Sequence, residues 1–500
     1  MFIAKKNHFL FELGDSSFLS ELLHNIAVDG NRNSSVWDSV KQYAFNDMGY
    51  LTQDPYTLCK ANLDQVLFNH DYFKVHAYFY LYLLAPFVFI FPSENILIFL
   101  QAFSFWGLLV GVFYVSRKEN AGYLVSIVMC IITIFHPAYS IGFMGQIYTD
   151  KFFLIFGIIF AYIIYKQRVN SFILFLMCAF ICLLHERMGT ILAMYAFPFM
   201  ILNHGKKIKF LYVFILLLGL CYSFYTMAYF VEVDTGKSGF IPSSFEKLND
   251  RFQNANFREE SFVFLRTNSL FLFLAIFNFP SFVATVLTML PNLIGSIGGA
   301  EKTGWATHYH MYYLPFLVFS AFLGLSRILK FIKLKFDNQY LKILILTILT
   351  LIAYPVQFSN FNQKEVQFNF NNVRDLLPFK LYEWSFFKND WYFQRYSDLL
   401  VLQSIPKGSI VSTPEDFFPP FIKNYKIRYY PLGLGEADYL ILTKDISKNG
   451  KSYYVGARSF RDPEEIINLN LCLNEKIERS GYKIANDFNM LTGIVVLKKN

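Results

Sequence analysis

Apolar segments separated by short loops dominate the chain, and the loops sort by charge. Four of them carry basic clusters: Arg117 and Lys118; Lys166 and Arg168; Lys206, Lys207 and Lys209; and Arg327, Lys330, Lys333 and Lys335. Two apolar segments lie between the first and second clusters, two between the second and third, and four between the third and fourth. Every interval therefore crosses an apolar layer an even number of times, and the positive-inside rule assigns all four loops to the cytoplasm. Asp150 and Glu186 fall in short loops on the opposite face.

The segments run over approximately 95–115, 121–141, 151–165, 171–184, 188–202, 208–231, 262–276, 279–297, 309–329 and 340–357. Several are shorter than the roughly 20 residues that a hydrocarbon core of about 30 Å requires, and those at 262–276 and 279–297 are the weakest. The run at 77–91, interrupted by Pro86 and closed by Pro92, reads as a re-entrant or interfacial helix, or as a further crossing. The expectation is a polytopic α-helical membrane protein of about 10–11 spans. A composition of 54% hydrophobic and only 16% charged residues agrees with this class. The net charge of +8 sits largely in juxtamembrane loops, where it sets topology and meets anionic lipid, so the bilayer and not nucleic acid is the expected partner.

Three regions follow: an N-terminal extracytoplasmic segment, 1–94, a transmembrane helical region, 95–357, and a soluble tail, 358–500. In the tail, Ser409–Ser412, Lys426–Tyr430 and Asp438–Thr443 read as strands and Pro414–Asn424 as a helix, which predicts a small extracytoplasmic α/β domain. No secretory signal with a basic head, apolar core and small-residue cleavage site opens the chain, so an outside N-terminus requires a span that 1–75 does not contain. Cys178 and Cys182 read as packing residues one helical turn apart. Cys59 and Cys472 lie in polar regions that allow pairing, and their spacing neither requires nor excludes it.

Charged groups beside membrane spans are costly unless paired, hydrated or interfacial, which makes them functional candidates. Tyr148-Thr149-Asp150-Lys151 sets an acid and a base at a helix start, where Asp150 also suits simple capping. His185-Glu186-Arg187 interrupts two spans too closely for a roomy loop, and no second His follows at the spacing a zinc protease needs. His308-Tyr309-His310 and His76 carry imidazoles at segment starts, suited to a phosphate or metal, although interfacial aromatics and His are common there. Gly433-Leu434-Gly435 has Asp438 where a dinucleotide loop would need glycine, and reads as a turn.

Taken in order, Gly14-Asp15-Ser16-Ser17-Phe18, Phe73-Lys74-Val75-His76 through Ala85-Pro86, Gln146 to Asp150, His185-Glu186-Arg187, His308-Tyr309 to Pro315-Phe316 and Ala437-Asp438-Tyr439 resemble an uncharacterised bacterial family of predicted membrane proteins. That family is similar in plan to the GT-C glycosyltransferases. The chain departs from the family pattern at Tyr148, at Arg187 and around Asp15, and it lacks the family's first span before the Asp15 segment, so a truncated N-terminus is expected.

The resemblance implies transfer of a sugar from a polyprenyl-phosphate carrier to an envelope acceptor at the outer face of the bacterial cytoplasmic membrane. It makes Asp15 the general base, and His76, Asp150, Lys151, Glu186, Arg187, Lys302 and His308 the substrate-binding set. Asp15, Asp150 and Glu186 are also the acids available to a divalent metal, which this chemistry allows without requiring. Two other readings remain open. A transporter or flippase of a lipid-linked or polar solute would want charges at span centres and two similar halves, and an inactive envelope-assembly relative would need neither acid.

Overall fold

The computed structural model describes residues 15–34, 71–144 except 75, 147–166, 171–202, 206–229, 249–294 except 251, 309–336, 339–358, 397–414 except 399, 422–446 except 432, 452–455, and 463–500 except 489 and 492. Contacts divide the chain into two units. One gathers Met1–Lys5, Phe73–Tyr80 and Ile98–Leu381; the other gathers Lys6–Tyr72, Leu81–Leu97 and Tyr382–Asn500.

The first unit is helical. Three helices among the described residues are long and apolar enough to cross a membrane: Ser93–Lys118, Phe210–Tyr229 and Leu314–Ile332. Tyr123–Phe135, Ser171–Cys182, Met188–Leu202 and Phe279–Ile294 are apolar but shorter, while Gln339–Phe358 is a continuous helix of 20 residues. A 12-residue helix rises about 18 Å, well short of a hydrocarbon core of about 30 Å. Several of the expected ten or eleven segments are thus too short to cross by themselves.

Two expected segments break where proline dictates. The segment at 121–141 is not continuous: Tyr123–Phe135 ends at His136, whose backbone is extended at φ −73°, ψ 128°, and a second helix, Pro137–Met144, follows. A residue preceding proline is pushed out of the helical region by the proline ring. The segment at 309–329 begins instead with a 3₁₀ turn, Tyr309–Tyr312, and the α-helix Leu314–Phe336 starts beyond it with Pro315 in its first turn, where no N–H is needed. Ala255–Ala275, capped by the Asn254 side chain, carries Arg258, Glu259, Glu260 and Arg266 and is not apolar throughout.

Aromatic packing fills the interior of this unit. Tyr195 stacks on Phe316 at 4.0 Å between ring centres, and Phe153 and Phe160 meet Phe316 edge-on. Helices Met188–Leu202 and Lys206–Tyr229 approach backbone to backbone at Gly189 and Gly219, where a Cβ on either glycine would strike the other's carbonyl oxygen. At one end of helix Phe153–Lys166, Lys166 pairs with Glu119 at 2.5 Å, tying together two loops that the basic clusters assign to one side. The turn carrying Asp150 stands at the helix's other end, about 21 Å away by helical rise.

The second unit holds a six-stranded mixed sheet of β1 (Ile410–Thr413), β2 (Lys426–Tyr429), β3 (Tyr439–Ile446), β4 (Ser452–Val455), β5 (Tyr482–Ile484) and β6 (Ile494–Lys499), ordered β2-β1-β3-β6-β5 with β4 on β3. β1 runs parallel to β2 and β3, while β3 is antiparallel to β4 and β6. Leu469, Leu473 and Ile477 recur at helical spacing on Pro463–Arg479 and pack with Leu440, Leu442 and Leu497 of the sheet.

The strands expected from sequence appear with small shifts. The helix expected at Pro414–Asn424 falls largely outside the described residues, and of the part that is described, Pro414 is not helical and 422–424 is a turn. Gly433, at φ +70°, opens the turn expected of the Gly-Leu-Gly stretch. Cys472 is disulfide-bonded, and Cys59 lies outside the described residues. In the same unit Asp15–Val28 is a helix that buries Leu19, Leu22 and Leu23.

Replacing Gly219 with Leu should lower stability by about 1–3 kcal/mol through overpacking. Detergent-solubilised protein should then melt at a lower temperature, whereas Leu220→Ala, at an exposed position of the same helix, should leave the melting temperature nearly unchanged.

Candidate functional site

In the helical unit, three short turns that each lead into a helix meet around a buried polar cluster. The first is the 3₁₀ turn Thr149–Phe152 ahead of Phe153–Lys166. The second is the tight turn at His185, Glu186 and Arg187 ahead of Met188–Leu202. The third is Tyr309–Tyr312 ahead of Leu314–Phe336. Helix N-termini carry unpaired N–H groups and a partial positive charge, so acids at these positions are favoured.

Hydrogen bonds lock the turns together. The Thr149 hydroxyl donates to the Leu184 carbonyl at 2.7 Å, and the Tyr312 hydroxyl donates to Asp150 Oδ2 at 2.6 Å. The segment 76–80 joins them: the Ala77 N–H donates to Glu186 Oε2 at 3.1 Å, His76 Nδ1 lies 3.0 Å from Glu186 Oε1, and the Tyr80 N–H donates to the Leu183 carbonyl at 2.9 Å. His185 stands between the acids. Its Nδ1 accepts the Arg187 N–H at 3.2 Å and lies 3.3 Å from Glu186 Oε2, while its Nε2 faces Asp150 Oδ2 across 3.8 Å. The His76 and His185 rings lie 5.0 Å apart. Asp150 and His185 are sealed from solvent, Glu186 nearly so, and His76 keeps 26% of its side chain exposed.

The two acids respond oppositely to this environment. Burial pushes the Asp150 carboxyl up to about 7, with the Tyr312 hydroxyl opposing the rise and Glu186 adding to it. Burial also works to raise Glu186, but His185, His76 and Arg187 outweigh it and hold that carboxyl below its ordinary range. Since burial keeps His185 itself neutral, the fixed charge beside Glu186 is Arg187. Tyr312 is raised by burial and by Asp150, so it stays a donor. One buried acid that holds a proton near neutrality beside one that stays ionised is the pattern that divides acid and base roles.

Of the residues singled out from sequence, the fold brings together His76, Asp150, Glu186 and Arg187. Lys151 is adjacent but buried, with its ammonium donating to the Gly142 carbonyl at 2.7 Å. Lys302 and His308 lie outside the described residues. Asp15 opens the helix Asp15–Val28 of the other unit, and its side chain is not among those described. Tyr312 was not foreseen, because an aromatic just ahead of an apolar segment reads as an interfacial anchor. His185 was read only as part of its tripeptide. Its spacing from Glu186 carries no signal that it would also face Asp150.

The family described as Predicted membrane protein (DUF2079) matches residues 57–487, and the chain belongs to it. The match spans both sides of the cluster, from His76 to Tyr312. No curated protein matches the chain.

The raised Asp150 carboxyl sets a pH dependence. The folded chain holds this proton more tightly than the unfolded chain, so the stabilisation is complete below about pH 3.8 and is lost as pH rises through about 7. In chelator-treated protein the melting temperature should fall between about pH 5 and about pH 8 through this group, and Asp150→Asn should flatten that fall. Parallel profiles for the two proteins would show that Asp150 is not the group responsible.

Proposed function

We propose that this member of a predicted membrane protein family is a membrane transferase that passes a sugar from a polyprenyl-phosphate carrier to an envelope acceptor at the extracytoplasmic face. The observation that carries the reading is the cluster itself: two buried carboxylates and a buried phenol held with a guanidinium at three converging helix starts, with His76 and Arg187 partly exposed.

The residue types match what glycosyl transfer demands. An acceptor hydroxyl must lose a proton as its oxygen bonds to the anomeric carbon, while the bond from that carbon to the carrier's phosphate oxygen breaks and the electron pair leaves on the phosphate. A carboxylate takes the proton, and a cation beside the phosphate stabilises the charge that develops there. Asp150 supplies a carboxyl with Tyr312 fixing its orientation, and Arg187 supplies the cation. Helix N-termini add a favourable setting for an anionic leaving group. Glu186, bound on both oxygens, serves to hold His76 and the 76–80 segment in place. Asp15, the base implied by resemblance, competes with Asp150 for the proton-accepting role.

Orientation is part of the proposal. The cluster and the Lys166–Glu119 pair stand at opposite ends of helix Phe153–Lys166, in keeping with basic loops inside and acids outside. A disulfide at Cys472 suits an oxidising compartment for the C-terminal sheet.

Cells lacking the protein should accumulate carrier-linked sugar and lose an envelope glycan; no change in either pool would count against transfer. In membranes, Asp150→Asn and Asp15→Asn are compared at equal insertion. Loss of the base should cost at least about 100-fold in transfer rate. Whichever acid shows that loss is the base, and near-parental rates in both variants would sink the assignment.

A further inference from the structure

We propose that His76, His185 and Glu186 form a binding site for one divalent transition-metal ion of the zinc class. One ligand atom from each residue lies within 4.8 Å of the others. Two imidazoles and a carboxylate are the donor set that binds zinc with three protein ligands and leaves a position open. Magnesium and calcium favour oxygen donors, so the two nitrogens select against them.

A His76–Glu186 hydrogen bond at 3.0 Å would by itself account for those two residues. It does not account for the second imidazole, which brings Nδ1 to within 3.3 Å of the other oxygen of the same carboxylate. When a ligating histidine uses one nitrogen, the other commonly faces a carboxylate. Here Nε2 faces Asp150 across 3.8 Å, beyond hydrogen-bond reach, and Asp150 is itself fixed by Tyr312 at 2.6 Å. Nδ1, the nitrogen beside Glu186, would exchange the Arg187 N–H that it accepts for the ion. Glu186 is anchored in turn by the Ala77 N–H.

Metal–nitrogen bonds of about 2.0–2.1 Å require the donors to close to roughly 3.3 Å apart. His76 is the partly exposed member, with 26% of its side chain accessible. Arg187 opposes a cation at this place, and its guanidinium is turned to the Tyr309 ring at 5.8 Å.

The test uses untagged full-length protein in detergent, stripped with chelator and titrated with zinc and cobalt in the absence of any substrate, so its outcome is independent of whether the protein transfers sugars. One equivalent should bind per chain, with visible cobalt bands of four- or five-coordinate intensity, and excess magnesium should not displace it. His76→Ala, at the partly exposed position and checked for an unchanged melting temperature, should abolish binding. Asp150→Asn should weaken it about 10–100-fold, as removal of a histidine-orienting carboxylate does. His310→Ala should leave it unchanged. No binding at micromolar zinc, undiminished binding in His76→Ala, or displacement by magnesium would each overturn the site.

Discussion

A carboxylate sealed from water must be matched by donors, and Glu186 draws its donors from a segment more than a hundred residues away. His76 and the Ala77 N–H reach its two oxygens from that segment. An unmatched buried charge costs several kcal/mol, so once Glu186 is inside, the 76–80 segment has to stay against the 183–187 turn. The Tyr80 N–H to Leu183 carbonyl bond continues the same seam. Thr149 to Leu184 and Tyr312 to Asp150 extend it to the other two turns. The convergence of three helix starts rests on this one requirement.

That arrangement separates two chemically similar acids. Glu186 has donors on both oxygens and a guanidinium nearby, and it stays ionised. For Asp150 burial outweighs the Tyr312 phenol that donates to it, and its carboxyl rises toward neutrality. The difference comes from the partner set, because both residues are equally removed from solvent and both stand just ahead of a helix. A group that can exchange a proton near pH 7 beside one that cannot is useful to a transferase. A fixed anion between two imidazoles is equally useful to a metal ion.

Much of the helical plan was legible. Apolar length and the basic loops locate most of the helices of the first unit, and the Lys166–Glu119 pair joins two loops assigned to one side by charge alone. The misreadings have local causes. His136 interrupts a segment that hydropathy treats as continuous, because hydropathy does not register the steric demand of Pro137 on the residue before it. Several expected segments form helices too short to span, since apolar composition persists through turns that end a helix. In the C-terminal sheet, β1, β2 and β3 were foreseen and β4, β5 and β6 were not. β4 and β5 are short, four and three residues, and depend on pairing with their neighbours for their place.

By itself the sequence determined the class of protein, a membrane protein of apolar helices, since hydrophobic length acts locally and needs no partner. It also marked His76, Asp150, Glu186 and Arg187 as costly residues in an apolar setting. Only the tertiary structure decided that these four belong to one cluster, that Tyr312 and His185 complete it, and that Lys151 turns instead to a backbone carbonyl. Those outcomes depend on distances between segments far apart in the chain, and on the balance of desolvation against hydrogen bonding that exists only once the segments have met.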